Sequence, residues 1–387
     1  MIVLDGVGIG ALPDARSYGD EGTNTLANTA RVLGGLRLPN LERLGLGCIT
    51  DIPGVSRLDK PEGCYGKLAE QSAGKDSTTG HWELGGLVTG RAFPLYPGGF
   101  PEALLERFKR LTGCAGYLAN KPASGTEIIK ELGTEHVRTG FPIIYTSGDS
   151  VFQIAAHEEV IPLKRLYEIC EVTRRQVLVG EHEVGRVIAR PFIGTDGSFA
   201  RTTNRRDFAL EPAGLTVLDL LSEEGIETVG IGKIDDLFCG RGLEEKIHTK
   251  SNNEGIRVTL EAAARLRSGF IMTNLVDFDT LFGHRQDPQG MGRALEEFDG
   301  ALPSLLGALE EGDMLVLTAD HGNDPTDSST DHTREFVPLL CSLKGGKQSI
   351  NLGERSTFAD AARTVADYFS LASGGKLAGN SFLRSMV

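Results

Sequence analysis

The chain has 387 residues and a formal net charge of −13 at pH 7, with 40 Lys and Arg against 53 Asp and Glu. This length favours two domains over one, and the content of 40% apolar and 24% charged residues excludes a wholly disordered chain. The acidic balance argues against nucleic acid and anionic membranes as partners, but a local basic pocket can still bind an anionic small molecule.

Short apolar runs that predict β-strands recur along the chain, and helical patterns separate several of them. The strand candidates, in chain order, are Ile2–Leu4, Phe141–Tyr145, Phe152–Ala156, Thr228–Ile231, Gly269–Asn274, Met314–Thr318 and Val337–Cys341. Helical patterns cover Thr126–Leu132, Thr259–Leu266 and Met291–Leu309. Strands that alternate with helices at this spacing predict an α/β fold, with a largely parallel central sheet sandwiched by helices.

The middle of the chain has a different pattern, which predicts an inserted α+β cap domain over residues 98–211. Residues 160–206 contain nine Lys and Arg against five Asp and Glu, a positive excess inside an acidic protein. A basic face that binds substrate is one interpretation, and an ordinary solvated surface is the other. The core domain is then formed by residues 1–97 together with residues 212–387.

No part of the sequence predicts a membrane span or a secretion signal. A window of about 18 uncharged apolar residues does not occur, and Met1–Asp5 has neither the basic nor the apolar region of a signal peptide. The six cysteines are scattered, without a C-x-x-C pair. We therefore expect a cytoplasmic protein with reduced thiols and without a zinc–cysteine site.

Asp and His residues follow three of the predicted strands. They are Asp5 after the first run, Asp279 and His284 beyond the run that starts at Gly269, and Asp320-His321 after Met314–Thr318, with His332 further along. In open parallel sheets, ligands bind outside the carboxyl ends of the strands, so we expect these side chains at one edge of the sheet.

Carboxylates and imidazoles without thiolates suit Mn²⁺, Zn²⁺ or Fe, and suit Mg²⁺ less well. Six ligand-type residues are too many for one tetrahedral ion, whereas two ions roughly 3.5–4 Å apart would use them all. A single strand-end Asp is more often a helix N-cap. The repeated pairing of His with Asp at strand exits nevertheless favours a metal site.

The segment Gly74–Glu83 places small hydroxyl residues between glycines, which predicts a turn that leads into a helix. At a helix N-terminus, Ser77 would face free backbone N–H groups that favour a phosphate on its Oγ. A nearby divalent ion would make the hydroxyl a nucleophile. The alternative is that Asp76 or Ser77 only caps the helix.

The segment Gly6–Ala11 matches the glycine pattern of a dinucleotide-binding turn after a strand. Pro13 follows at once, however, and it would break the helix that this turn requires. We therefore do not expect a dinucleotide site.

Taken together, these segments resemble the phosphopentomutase family of the alkaline phosphatase superfamily, along nearly the whole chain. The matching segments are Val3–Gly10, Gly74–Glu83, Gly148–Glu158, Arg186–Gly194, Asn274–Asp279, Gly283–Arg285, Ala319–Pro325 and Thr330–Glu335. The contexts Gly-His-Trp-Glu and Gln-Ile-Ala-Ala-His-Glu make the resemblance specific, because related mutases and phosphatases share the metal residues without them. The resemblance implies an alkaline-phosphatase-like core.

The resemblance also implies two Mn²⁺ ions. One would be held by Asp279, His284 and His332, and the other by Asp5, Asp320 and His321. The family nucleophile, usually Thr, falls at Ser77, with Thr78 and Thr79 as neighbouring alternatives.

The implied activity is the interconversion of ribose 1-phosphate and ribose 5-phosphate, and of the 2-deoxy pair, in nucleoside salvage. It would run through a phosphoserine enzyme and a pentose bisphosphate, with a sugar bisphosphate as activator. The candidate substrate contacts are Asp149, for a ribose hydroxyl, and Arg186, Arg190, Arg201 and Lys233, for the phosphate that does not react.

Three alternative functions remain at this point. A phosphomonoesterase would use the same metals and nucleophile without a bisphosphate activator. A cofactor-independent phosphoglycerate mutase would need a different nucleophile context and a much larger insertion. A sugar-phosphate-binding module without activity would require that Ser77 is never phosphorylated. The sequence does not indicate the oligomeric state.

Overall fold

The computed structural model describes residues 1–387, which divide into two compact units. The core unit is formed by Met1–Ala92 and Pro212–Val387, and the inserted unit by Phe93–Glu211. The structure thus begins the inserted unit at residue 93, where the sequence predicts residue 98. The five residues between these positions form no strand or helix, so the sequence offers no pattern that separates them from the core.

The structure contains fourteen strands. In chain order they are β1 Ile2–Leu4, β2 Cys64–Leu68, β3 Leu118–Pro122, β4 Ile143–Thr146, β5 Val151–His157, β6 Arg186–Ile193, β7 Ala200–Arg201, β8 Arg206–Ala209, β9 Glu227–Ile231, β10 Glu245–Ile247, β11 Gly269–Leu275, β12 Met314–Thr318, β13 Val337–Leu343 and β14 Asn351–Arg355.

The α-helices are α1 Thr25–Leu33, α2 Pro39–Leu44, α3 Ser77–Leu84, α4 Glu102–Thr112, α5 Gly125–Thr139, α6 Leu163–Val172, α7 Val217–Glu223, α8 Ile234–Phe238, α9 Asn252–Arg265, α10 Pro288–Gly307, α11 Ala359–Tyr368 and α12 Leu383–Met386. Local capping fixes the start of several helices: Thr216 and Asp219 form a capping box at α7, and Asp287 caps α10 ahead of Pro288. The helix predicted over Met291–Leu309 thus begins three residues earlier, at Pro288. None of these helices combines the length and the hydrophobicity that a bilayer span requires.

The eight-stranded sheet of the core unit has the order β10-β9-β11-β1-β12-β13-β2-β14. The first five strands are mutually parallel, and β13 alone runs antiparallel to its neighbours. Because β1 and most of β11 and β12 are buried, their sequences are continuous apolar runs rather than alternating ones. The predicted α/β class with a largely parallel central sheet is confirmed.

The three neighbouring strands β11, β1 and β12 end at Leu275, Leu4 and Thr318 and point the same way. The residues that follow them therefore leave the sheet at one common edge. This topology positions the candidate metal residues.

The inserted unit has a mixed sheet of six strands in the order β3-β4-β5-β6-β7, with β8 also paired to β6. Helix α5 packs through Ile128 and Ile129 against one face, which includes Tyr145 and Phe192. Helices α4 and α6 pack on a second hydrophobic core that contains Phe152 and Ile154. Because successive strand residues point to opposite faces, the two cores lie on opposite sides of this sheet. The α+β character predicted for the insertion is confirmed.

Candidate metal centre and nucleophile

Asp5, Asp320 and His321 form the first candidate ligand group at the carboxyl edge of the core sheet. Nε2 of His321 lies 3.3 Å from Oδ1 of Asp5 and 3.3 Å from Oδ2 of Asp320. All three side chains are fully buried, and Oδ1 of Asp320 accepts a hydrogen bond from the N–H of Gly6. The tight turn after β1 thereby fixes the orientation of one carboxylate.

Asp279 is the centre of a second group. It lies in a π-helical turn, Phe278–Gly283, directly beyond β11, and such turns are frequent at functional sites. Its Oδ1 lies 3.4 Å from Nε2 of His284 and 3.4 Å from Nε2 of His332. The rings of His321 and His332 are 4.1 Å apart between centroids, so the two groups adjoin.

The structure brings all six predicted ligand residues together, with one difference in grouping. Asp5, Asp320 and His321 cluster as the resemblance implies, but His321 also lies within reach of Asp279 and His332. His284 stands on the outer side of Asp279, and its Nδ1 lies 2.7 Å from the carbonyl oxygen of Thr330. One imidazole therefore bridges the two groups, a feature that spacing along the chain does not reveal.

These residues fit divalent cations. Burial opposes ionisation of Asp279 and Asp320, but neighbouring histidines outweigh it, holding the pKa of Asp279 well below its ordinary value and lowering the pKa of Asp320 to about 2. Both shifts favour the charged form of these two buried carboxylates, which is the form that metal ligation requires. Nε2 of His332 is buried and makes no hydrogen bond. A carboxylate and imidazole set without thiolates suits Mn²⁺, Zn²⁺ or Fe.

Ser77 is the first residue of α3, and its hydroxyl points into this centre. Its Oγ lies 3.0 Å from Nε2 of His321 and 3.5 Å from Oδ1 of Asp5. Asp76 is the N-cap of the helix and accepts hydrogen bonds from the N–H and the hydroxyl of Thr79. Capping thus occupies Asp76 and Thr79, and it leaves Ser77 as the hydroxyl beside the candidate metal ligands.

Three polar residues that the sequence analysis did not single out orient these groups. His81 is fully buried, and its Nδ1 lies 2.9 Å from both the carbonyl oxygen of Ser77 and Oδ2 of Asp320. The amide of Asn274 donates to Asp5 at 2.9 Å, and the amide of Asn323 donates to Asp279 at 2.7 Å. Only His81 carried a usable signal, since it lies one helical turn beyond Ser77.

Arg334 anchors the loop that carries Ser77, and it too was missed. Its buried guanidinium donates to the backbone carbonyls of Glu70, Ser72 and Gly74 at 3.0, 2.7 and 2.6 Å, and to the carboxylate of Glu70 at 2.8 Å. It also pairs with Asp14 at 3.1 Å. Because Arg334 follows His332 by two residues, it ties the nucleophile loop to the segment of a candidate metal ligand.

We expect Arg334→Met to lower the free energy of unfolding by about 3–5 kcal/mol, because the change leaves the buried Glu70 carboxylate without its partner. Urea denaturation followed by circular dichroism measures this loss. Arg43→Met is the matched control, since Arg43 and Glu62 form an exposed pair worth under about 1 kcal/mol. Equal losses in the two variants would show that Arg334 has no special structural role.

The predicted substrate contacts lie in both units. In the core unit, Nζ of Lys233 is 4.0 Å from Oδ2 of Asp5, beside the candidate metal centre. In the inserted unit, Arg186 lies 3.9 Å from Asp149 and 3.7 Å from Asp207. Also there, Arg190 donates to the side-chain carbonyl of Gln153, and Arg201 lies on the short strand β7.

Comparison with known proteins identifies the family. A family model described as the Metalloenzyme superfamily matches residues 1–373. The phosphopentomutase of Dictyoglomus thermophilum is 56% identical over 386 residues, covering 100% of this chain and 97% of the relative. The phosphopentomutase of Acetivibrio thermocellus is 56% identical over 387 residues, covering 100% and 99%.

Among solved structures, the phosphoglycerate mutase of Leishmania mexicana shares 13% identity at a TM-score of 0.49, over 98% of this chain and 96% of that chain. The two phosphopentomutases, by contrast, share 56% of their residues with this chain. On that identity, the chain belongs to the phosphopentomutase family of metal-dependent isomerases, which act as intramolecular phosphotransferases.

Proposed function

We propose that this enzyme interconverts α-D-ribose 1-phosphate and D-ribose 5-phosphate, and the corresponding 2-deoxyribose phosphates. The observation that carries the proposal is the position of Ser77, whose Oγ lies 3.0 Å from Nε2 of His321 at the N-terminus of α3. A nucleophile placed between candidate metal ligands and a helix N-terminus suits the transfer of a phosphoryl group.

The proposed cycle starts with a phosphoryl group on Ser77. The free hydroxyl of a pentose monophosphate attacks this phosphorus and forms a new P–O bond, while the bond to Ser77 Oγ breaks. The proton of the attacking hydroxyl passes to the released Ser77 Oγ, which becomes a hydroxyl again. The resulting pentose bisphosphate reorients and returns its other phosphoryl group to Ser77. The backbone N–H groups at the start of α3 stabilise negative charge on the phosphoryl oxygens.

Two divalent ions, which we propose to be Mn²⁺, would be held by Asp5, Asp320 and His321 and by Asp279, His284 and His332. When bound, they neutralise charge on the entering and leaving oxygens. Neighbouring histidines lower the pKa values of Asp279 and Asp320, as described above. The amides of Asn274 and Asn323 keep Asp5 and Asp279 oriented.

We propose that the inserted unit is the substrate cap. Asp149 accepts a hydrogen bond from a ribose hydroxyl, and Arg186, Arg190 and Arg201, with Lys233 of the core unit, hold the phosphate that is not reacting. The cap also excludes water, which would otherwise hydrolyse the phosphoserine.

The chemistry of the substrates suits nucleoside and pentose phosphate salvage, and we propose that the enzyme works in the cytoplasm. The scattered free thiols agree with a reducing compartment.

A coupled assay tests the proposed reaction. Purified enzyme with Mn²⁺ should convert ribose 1-phosphate to ribose 5-phosphate, and a sugar bisphosphate should raise the rate by loading Ser77. A metal-dependent phosphomonoesterase would instead release inorganic phosphate from both compounds without any activation. Phosphate release without isomerisation would overturn the proposed function in favour of this alternative.

Arg186→Ala should reduce mutase turnover by roughly 30- to 1000-fold, because a charge-assisted contact to a phosphate in a dry pocket is worth about 2–4 kcal/mol. Hydrolysis of a small aryl phosphate should barely change, since that compound has no second phosphate to hold. Both rates are measured on the same preparation. A parallel fall in the two rates would contradict a role for Arg186 in holding the distal phosphate.

A further inference from the structure

One end of helix α5 in the inserted unit has the features of an anion site. The N-cap residue Ser124 makes no side-chain capping bond, and the first helical hydrogen bond runs from the N–H of Ile128 to the carbonyl of Ser124. The amides of Gly125, Thr126 and Glu127 are therefore the free donors with which a helix begins. The positive end of the helix dipole lies at the same place.

A buried hydroxyl is aimed at this helix end. Tyr145 is fully buried on β4, and its hydroxyl makes no hydrogen bond. Its oxygen lies 2.7 Å from the point where a Cβ on Gly125 would stand. A buried hydroxyl without a partner is unfavourable, so its presence calls for a ligand that completes its hydrogen bonding. Any residue other than glycine at position 125 would crowd this hydroxyl.

Positive charge converges on the same place. Nη1 of Arg201 lies 3.7 Å from the same position, the point where a Cβ on Gly125 would stand. Burial raises the pKa of Tyr145, while the charges of Arg190, Arg201 and Arg205 oppose that rise. Arg205 is itself paired with Asp207 at 2.6 Å, so Arg190 and Arg201 are the candidate anion ligands. Burial, together with the charge of Arg205, lowers the pKa of Arg190.

The arginines predicted for substrate binding are not equivalent. Arg186 has two carboxylates within 4.0 Å, Asp149 and Asp207, so its charge is already partly balanced. Arg190 makes a hydrogen bond to Gln153, a neutral amide, and it lies beside Tyr145 on the same face of the sheet. The donors around Tyr145 are thus a hydroxyl, backbone amides and guanidinium groups.

We propose that Tyr145, Arg190, Arg201 and the N-terminus of α5, all of them in the inserted unit, bind a phosphate monoester. A phosphate dianion supplies several acceptor oxygens and two negative charges, which match this set of donors. The assignment rests on the proposed function in one respect: the monoester is the phosphate of the pentose, or of the activating sugar bisphosphate, that is not reacting at Ser77.

Tyr145→Phe provides the sharpest test, because it removes only the hydroxyl. If the hydroxyl has no ligand, its loss leaves nothing unpaired, and the KM for ribose 5-phosphate stays unchanged. If it binds phosphate, we expect the KM of the Mn²⁺-loaded enzyme to rise about 10-fold, and Arg201→Gln to raise it about 30-fold or more. The KM for a small aryl phosphate should stay unchanged in both variants.

Arg175→Gln is the matched control. It removes the same charge from the inserted unit, but Arg175 is an exposed residue paired with Glu171, in the turn after α6 on the opposite face of the sheet. The KM of the Arg175→Gln variant for ribose 5-phosphate should equal that of the unchanged enzyme. A shift confined to the half-activating concentration of the sugar bisphosphate would assign the same site to the activator instead of the substrate.

A crystal of the full chain soaked in inorganic phosphate separates the site from the proposed reaction. Phosphate density within hydrogen-bonding distance of the Tyr145 hydroxyl supports the site, even if the enzyme shows no mutase activity and the proposed function fails. An active mutase whose KM is unchanged by Tyr145→Phe and Arg201→Gln, with no density there, would overturn the site and leave the proposed function intact.

Discussion

Ser77→Ala is expected to abolish mutase turnover, with a loss of roughly 10⁴-fold or more, because no other hydroxyl contacts the candidate metal ligands as Ser77 does. The substitution removes one oxygen at the start of a helix that Asp76 continues to cap, so the fold and the metal content should be retained. Intact-mass analysis should show about 80 Da of added phosphate on the unchanged enzyme after incubation with a sugar bisphosphate, and none on the variant.

Thr78→Ala is the matched control for this experiment. It deletes the hydroxyl next along the chain, and turnover should stay within about twofold of the unchanged enzyme. Thr79 is a poorer control, because its hydroxyl bonds to the capping Asp76 and its loss would disturb the helix start. An inactive Thr78→Ala enzyme beside an active Ser77→Ala enzyme would move the nucleophile to Thr78.

Asp320→Asn should abolish the stabilisation by Mn²⁺ and reduce turnover by roughly 10³-fold or more, because it removes one charge of a buried ligand group while keeping its size. An ion that binds only the folded chain raises stability by about 2.7 kcal/mol at one hundred times its Kd. Thermal unfolding with and without Mn²⁺ should therefore show a clear rise in Tm for the unchanged enzyme and little for the variant.

Asp299→Asn separates loss of metal from loss of structure. Asp299 is also buried, but it accepts hydrogen bonds from the backbone of Asn40 and Leu41 and lies in α10. This variant should lose intrinsic stability and still respond to Mn²⁺. If Asp299→Asn and Asp320→Asn respond to Mn²⁺ alike, Asp320 is not a metal ligand.

The sheet of the core unit could be predicted from sequence because its central strands are buried on both faces. A strand in this position must be apolar throughout, so Met314–Thr318 is predicted with both of its observed ends. Strand Cys64–Leu68 was missed, since its burial alternates and it includes Gly66 and Lys67. An apolar run can be recognised from neighbouring residues alone. The pairing of Cys64–Leu68 with β13 cannot, because the two strands lie about 270 residues apart in the sequence.

The candidate centre was predictable for a similar reason, and only in part. Acidic residues directly after buried strands mark the carboxyl edge of a parallel sheet, which is how Asp5 and Asp320 were found. Arg334 was not found, because its partners at Glu70, Ser72 and Gly74 lie about 260 residues away along the chain. The sequence also cannot predict that His321 belongs to both candidate ligand groups, because this depends on how the loops after the strands are arranged in space.

The place of β1 in the sheet has a consequence for synthesis on the ribosome. β1 pairs with β11 and β12, through Ile2 with Thr273 and Leu317, so β1 has no partner strand until residues more than 270 positions further along the chain have emerged. The inserted unit is continuous from Phe93 to Glu211 and has its own hydrophobic cores. The inserted unit can therefore fold while β1 is still exposed, before β11 and β12 have been synthesised. The period of greatest risk of aggregation in the cell therefore falls before residue 318 leaves the ribosome, and chaperones that hold nascent chains would protect the enzyme then.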